Sequence, residues 1–155
     1  MTTNSKQPQQ IELAYIAGFV DGEGHIGLAT RKPLPGHHQQ YRERIYIGNC
    51  DQSIIKYIQS LFPKGTTHQN IRYSKKHRPL YRVHYSSLNA IELAKALLPY
   101  LRVKKEQAKK LIEFRDKITL IDRHASNRVL PEKEYQRRTE IYQTLKRLNQ
   151  RGVQL

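Results

Sequence analysis

The 155-residue chain has no tryptophan, one methionine and one cysteine, Cys50. A single cysteine excludes an internal disulfide and fits a reducing compartment. Acids are scarce as well: 13 Asp and Glu stand against 28 Lys and Arg, for a formal net charge of +15. No apolar run approaches the ~18 residues that a bilayer-spanning helix needs. The opening MTTNSKQPQQ has neither the basic start nor the apolar core of a signal peptide. The expected setting is the cytoplasm or nucleoid of a bacterial or phage system, or an organelle, with no membrane partner. Glycines are few and uneven: after Gly65 there is only Gly152.

The surplus of cations points to a polyanion, and its placement separates nucleic acid from an anionic membrane. Residues 1–24 carry one base and three acids, residues 25–101 twelve and three, and residues 102–155 fifteen and seven. A membrane-surface helix would gather its cations on one amphipathic helix with Trp or Phe opposite. Here the basic middle alternates like strands, and nucleic acid is the better reading.

Residues 1–10 read as a disordered leader and 11–155 as one domain, with a helical extension from about 123. Residues 11–22 are helical, with Ile11, Ala14, Tyr15, Gly18 and Gly22 on one side. HIGLATRK alternates as a strand, Ile26 and Leu28 against His25, Gly27, Ala29 and Arg31. PLPGHHQQ is a loop. RERIYIG alternates again, with Ile45 and Ile47 inward and Arg42, Arg44 and Tyr46 outward. Asp51 is a suitable N-cap for a helix whose apolar side is Ile54, Ile55, Ile58, Leu61 and Phe62. A hairpin turning near KKHRP follows, with Ile71, Tyr73, Tyr81 and Val83 inward and Asn70, Arg72, Ser74, Arg82 and His84 outward. Ser86 or Ser87 can cap a helix ending around Pro99. Further helices are expected over 105–121 and, with Tyr135, Tyr142, Leu145 and Leu148 as its stripe, over 131–150. The class is α+β, with a four-stranded antiparallel sheet whose open face is rich in Arg, His, Asn and Tyr. Such a sheet can leave one face in water, and a two-stranded ribbon fits the major groove.

The first helix sets the main problem. It ends in Asp21 and Glu23, although acids at a helix C-terminus are destabilising. Ala14, Gly18 and Gly22 recur every four residues, leaving one face almost bare, so that two such helices could approach closely. Two copies packed side by side would bring two Asp21 and two Glu23 together, and a cation would then join them. Oxygen ligands without nitrogen or sulfur partners suggest Mg²⁺, which near a phosphodiester activates water and stabilises the leaving oxygen.

IAGFVDGEG, residues 16–24, resembles the signature of the LAGLIDADG homing endonucleases. Ala17, Gly18, the apolar pair Phe19 and Val20, Asp21, Glu23 and Gly24 carry the likeness. The resemblance implies an αββαββα fold with a saddle-shaped sheet and extra C-terminal helices. It implies a central interface of motif helices through Ala14, Ala17, Gly18, Asp21 and Gly22. It implies a Mg²⁺ or Mn²⁺ site at Glu23, with the Gly22 backbone oxygen and Asp21. Asn49 matches a position that orders water, and Lys104, with Lys105 as its rival, matches a lysine near the scissile phosphate. The sheet would read double-stranded DNA in the major groove, through Arg31, Lys32, Gln40, Arg42, Arg44 and Tyr46 of the first hairpin. The second hairpin would add His68, Asn70, Arg72, Ser74, Lys75, Lys76, Arg78, Arg82 and His84. Both strands would be cut across the minor groove, leaving 3′ overhangs.

One copy of the motif implies a homodimer and a near-palindromic target, as for a nuclease encoded by a mobile element such as an intron. The alternative is a retired nuclease acting as a repressor, or as a maturase bound to its own intron RNA. Neutralising Asp21 and Glu23 would stabilise a pure binder, and their retention favours the enzyme. IYIG at 45–48 matches half of another nuclease signature, but no GIY precedes it. His37 and His38 read as a loop pair and Cys50 as a small buried residue.

Overall fold

The computed structural model describes residues 8–70, 78–117 and 130–150. Helix α1 (Gln10–Glu23) leads into β1 (Gly24–Arg31) and β2 (Gln40–Asn49). Helix α2 (Gln52–Leu61), β3 (Thr66–Asn70) and β4 (Leu80–Ser86) follow. Helices α3 (Leu88–Leu97), α4 (Lys105–Asp116) and α5 (Glu132–Leu148) complete the described chain. The strands form one antiparallel sheet in the order β1-β2-β4-β3, as the alternation predicted.

Local signals set several boundaries. At the start of α1 the Glu12 carboxylate accepts the Gln9 N–H at 2.8 Å. Asp51 caps α2 by accepting the Ser53 N–H at 2.8 Å. Ser87 does stand at the cap position of α3, but with φ 53° and with no hydroxyl bond to the helix. Helix α4 ends at Asp116 within the described residues. Ile71, Arg72, Tyr73, Ser74, Lys75, Lys76 and the expected turn near them lie outside the described residues, as does the 118–129 segment.

The helices cover one face of the sheet. Ile26, Ile45, Ile47, Val83 and Tyr85 meet Ile16, Ala17 and Val20 of α1, Ile55 and Ile58 of α2, and Leu93 and Leu97 of α3 in a single buried cluster. Each Ile, Leu or Val among them stabilises the fold by roughly 1.5–3 kcal/mol through burial. Ala17, expected at an interface between chains, is 0% exposed inside this core. At 100° per residue it shares the phase of Leu13, Ile16 and Val20, not that of Ala14 and Gly18.

One charge enters the core. Glu43, in phase with Ile45 and Ile47, is 2% exposed and accepts a bond from Arg115 Nη2 of α4 at 2.7 Å. Helix α5 runs along the free edge of β1, a position that protects an edge from pairing with other chains. Tyr41 Oη lies 3.0 Å from Thr139 Oγ1, and Asn149 Nδ2 donates to the Ile26 carbonyl at 2.9 Å. Cys50 is exposed, against expectation, because it stands beyond the last paired residue of β2.

Candidate active site and nucleic-acid interface

The acidic end of α1 is stabilised by its own chain. Lys104, at the entry to α4, donates its ammonium to the carbonyl oxygens of Val20, at 3.0 Å, and Asp21. A cation from the far side of the fold therefore meets the negative end of the helix dipole. The clasp is reciprocal: the Asp21 carboxylate accepts the backbone N–H groups of Arg102 and Lys104, each at 2.8 Å. Asp21 thus has a structural task in addition to the metal contact that the family resemblance implies. Burial lowers the Lys104 pKa from the ordinary lysine value, while the charges of Asp21 and Glu23 act the other way.

Glu23 differs from Asp21. It is the last residue of α1, is exposed, and makes no hydrogen bond or ion pair among the described residues. A lone carboxylate beside a backbone carbonyl suits Mg²⁺, which keeps several waters and takes one or two carboxylates along with substrate phosphate. No group of three or more His, Cys, Asp or Glu capable of holding a metal gathers among the described residues. The donor set thus fits an ion shared with phosphate and water rather than a closed protein cage. Asn49 stands two residues beyond Ile47, the partner of Gly24, and so lies at the same end of the sheet as Glu23. Its Oδ1 accepts the Asp51 N–H at 2.8 Å, which leaves the amide NH₂ to face outward chemistry. Lys105 is exposed on the first turn of α4, whereas Lys104 is the lysine that touches α1.

Beyond this corner the sheet's open face is entirely without acids among the described strands. Arg31, Gln40, Arg42, Arg44 and Tyr46 share the face of His25, and register places His68, Arg82 and His84 on it as well, with Asn70 the last paired residue of β3. Lys32 and Arg78 are exposed in the flanking loops. The one acid in the four strands, Glu43, points to the covered face. On the open face Tyr46 stacks on His25 and on His84, with centroids 4.8 and 5.5 Å apart. Burial first, then Arg44 and Lys104, lowers the His25 pKa. Burial, His68, Arg44 and Arg82 do the same for His84. The alternation already sets His25 on the face of Arg31, at the start of the strand, and the structure adds its stack on Tyr46.

A second surface lies on α1. Ile11 (81%) and Tyr15 (54%) are exposed, Ala14 is exposed, and a methyl group added at Gly18 or Gly22 would meet nothing within 4 Å. Beside this strip runs a groove lined by Ala14, Gly18, Asp21, Pro99, Tyr100 and Arg102.

Comparison with known proteins fits these features. The model of the LAGLIDADG endonuclease family matches residues 16–121. The chain belongs to that family. No curated protein sequence matches it. Solved structures of homing endonucleases share its fold. I-CvuI, in complex with the I-CreI target in the presence of Mg, superposes with TM-score 0.70 at 18% identity, over 94% of this chain and 87% of that one. Archaeal intron-encoded I-Vdi141I, complexed with DNA, gives 0.72 at 14%, over 95% and 89%. I-LtrWI bound to target DNA gives 0.64 at 17%, over 90% of this chain and 47% of that longer one.

Proposed function

We propose that the chain is a homodimeric, site-specific double-strand DNA endonuclease that hydrolyses phosphodiester bonds with Mg²⁺ or Mn²⁺. The observation that carries this reading is the contrast at the end of α1: Asp21 is held by backbone amides, while Glu23, close in sequence to the Asp21 carbonyl that half-buried Lys104 grips, has no partner among the described residues. An exposed, unpartnered acid at a helix C-terminus is destabilising, and a metal–phosphate pair offsets that.

Glu23 and the Gly22 carbonyl would hold the ion, which supplies Lewis-acid stabilisation of the leaving oxygen and an acidified water. Lys104, anchored on two carbonyls, directs positive charge toward a phosphate. Asn49, its oxygen fixed by Asp51, offers N–H donors to orient water. The acid-free sheet face lies in the major groove, where arginines read guanine edges bidentately. The bare strip of α1 packs on its counterpart in a second copy, giving a near-palindromic target, with cuts across the minor groove and 3′ overhangs.

The test is incubation with randomised palindromic duplexes, with Mg²⁺ and with EDTA, followed by sequencing of cut and retained molecules. Cut ends sharing one near-palindrome only with Mg²⁺ are expected. In Glu23→Gln, cutting should vanish while binding stays or tightens, because a ligand and a repulsion from phosphate are removed together. Duplexes retained and uncut by the native chain under both conditions would overturn the enzyme in favour of a DNA-binding repressor or a maturase.

A further inference from the structure

Two glycines on the open face of the sheet are positions where a neighbouring side chain lies across the backbone. A Cβ at Gly48 would come 3.2 Å from Arg82 Cγ and 3.6 Å from its Nε. A Cβ at Gly27 would come 2.9 Å from His25 Nε2. Glycine inside a strand, where it weakens the strand, commonly marks such a close approach. Both displaced side chains converge on one ring. His25 stacks on Tyr46 at 17° between planes, and His84 does so at 27°. Arg44 and Arg82 place their guanidinium carbons 5.3 and 5.4 Å from the same centroid. His68 meets His84 edge-on at 4.9 Å, so the rank of rings spans all four strands.

We propose that Tyr46 is the positioning residue of the reading surface: wedged between His25 and His84, it aims the Arg44 and Arg82 guanidinium groups and so sets the base preference of each half-site. The inference rests on the DNA-reading role proposed above. An arginine free in solution surveys many rotamers, and ordering it on binding opposes affinity. A guanidinium already resting on an aromatic ring loses less freedom, and stacking leaves its N–H edge available for a guanine. Two guanidinium carbons so close to one ring lie within about 11 Å of each other, or about three base-pair steps at ~3.4 Å per step. Each half-site should therefore carry two guanine preferences, on either strand, within about three base pairs.

The experiment is a binding selection from randomised duplexes in EDTA with the full chain and three variants, alongside NMR of the arginine Nε–Hε groups without DNA. A bidentate arginine–guanine contact discriminates by about 5- to 150-fold. Tyr46→Leu should collapse both guanine preferences to about twofold or less while leaving affinity for bulk duplex nearly unchanged. Tyr46→Phe should keep both. Gly48→Ala, which lifts Arg82 alone, should weaken one and spare the other. The Arg44 and Arg82 signals should be ring-shifted in the native chain and lose that shift in Tyr46→Leu. Equal loss of all binding in Tyr46→Leu, or loss at a single base with Tyr46→Phe behaving likewise, would overturn the proposal. If the native chain selects no sequence, the DNA-reading role falls and the base-preference claim with it. Ring-shifted arginines would then still show that Tyr46 orders them, and unshifted ones would remove that as well.

Discussion

Replacing Asp21 with Asn should separate the two acids of the motif by what they lose. In the native chain each Asp21 oxygen accepts one backbone N–H, from Arg102 and from Lys104. Asparagine keeps a single acceptor, now neutral, and turns its NH₂ toward the other N–H. A hydrogen bond to a charged group contributes about 1.5–3 kcal/mol, a neutral one about 0.5–1.5. One bond is therefore lost and the other weakened. The Arg102 amide is exposed enough for water to replace part of the loss, which brings the expected destabilisation to about 1.5–3 kcal/mol. At about 2–4 °C per kcal/mol for a domain of this size, Tm should fall by about 3–12 °C. Thermal melts followed by circular dichroism at fixed protein concentration measure this directly. Glu23→Gln is the control. It removes an exposed charge with no bonded partner, so its stability should stay within about 0.5 kcal/mol of the native chain. Below its Tm, Asp21→Asn should still cut, with an unchanged dependence on Mg²⁺ concentration. An Asp21→Asn protein that melts like the native chain and needs far more Mg²⁺ would refute the cap and return Asp21 to the metal.

Three other outcomes follow from the same geometry. Gly18→Leu points into open space in the single chain, so the monomer should still fold, with Tm lowered by the lost dimer contribution and no longer dependent on protein concentration, while sedimentation should show the proposed dimer split; a monodisperse dimer would refute the α1 interface. Glu43→Ala leaves the Arg115 guanidinium beside the core without its carboxylate, a loss of about 3–5 kcal/mol for a fully buried pair and less here because Arg115 is 25% exposed; chemical denaturation with an unchanged midpoint would contradict it. The depressed pKa of His84 means that the unfolded chain binds its proton first. Stability is therefore complete above the unfolded histidine value of ~6.5 and declines as pH falls below it. Tm between pH 7.5 and 5.5 should drop less steeply in His84→Phe, which keeps the ring against Tyr46.

Period-two alternation was enough to read the sheet from the sequence, because each face of a strand meets one environment along its whole length. In RERIYIG the inward Ile45 and Ile47 share their phase with Glu43, whose burial the structure reveals. What it could not supply was Arg115, 72 residues further along, which makes a core carboxylate tolerable. The same distance hid the part of the dipole problem that the chain answers itself. Residues 13–27 hold two acids and no base, and on local grounds a metal was the available cation. Lys104 lies more than 80 residues away and enters only once α4 has docked. Ala17 was misassigned for a different reason. Small residues at 14, 17, 18 and 22 look alike as letters, and only the helical phase, with 17 following 13, 16 and 20, separates the buried alanine from the bare strip.

The charge of the chain is arranged more sharply than its total suggests. On the helices, cations largely have partners: Lys109 with Glu106, Lys110 and Lys117 with Glu113, Arg137 and Arg138 with Glu134, Lys95 with Asp116. Two of these cations, Lys110 and Lys117, hold the Glu113 carboxyl at about 2, so it stays ionised across the physiological range. The sheet's open face has no acid to offset Arg31, Arg42, Arg44 and Arg82. With several helical cations paired, the acid-free face gathers arginines without local compensation, and positive charge gathered on one surface steers a polyanion to that surface. A homogeneously basic protein with the same +15 would gain affinity for any duplex in any orientation. Here the arginines Arg31, Arg42, Arg44 and Arg82 share one acid-free face, with Glu23 at the end of the same sheet.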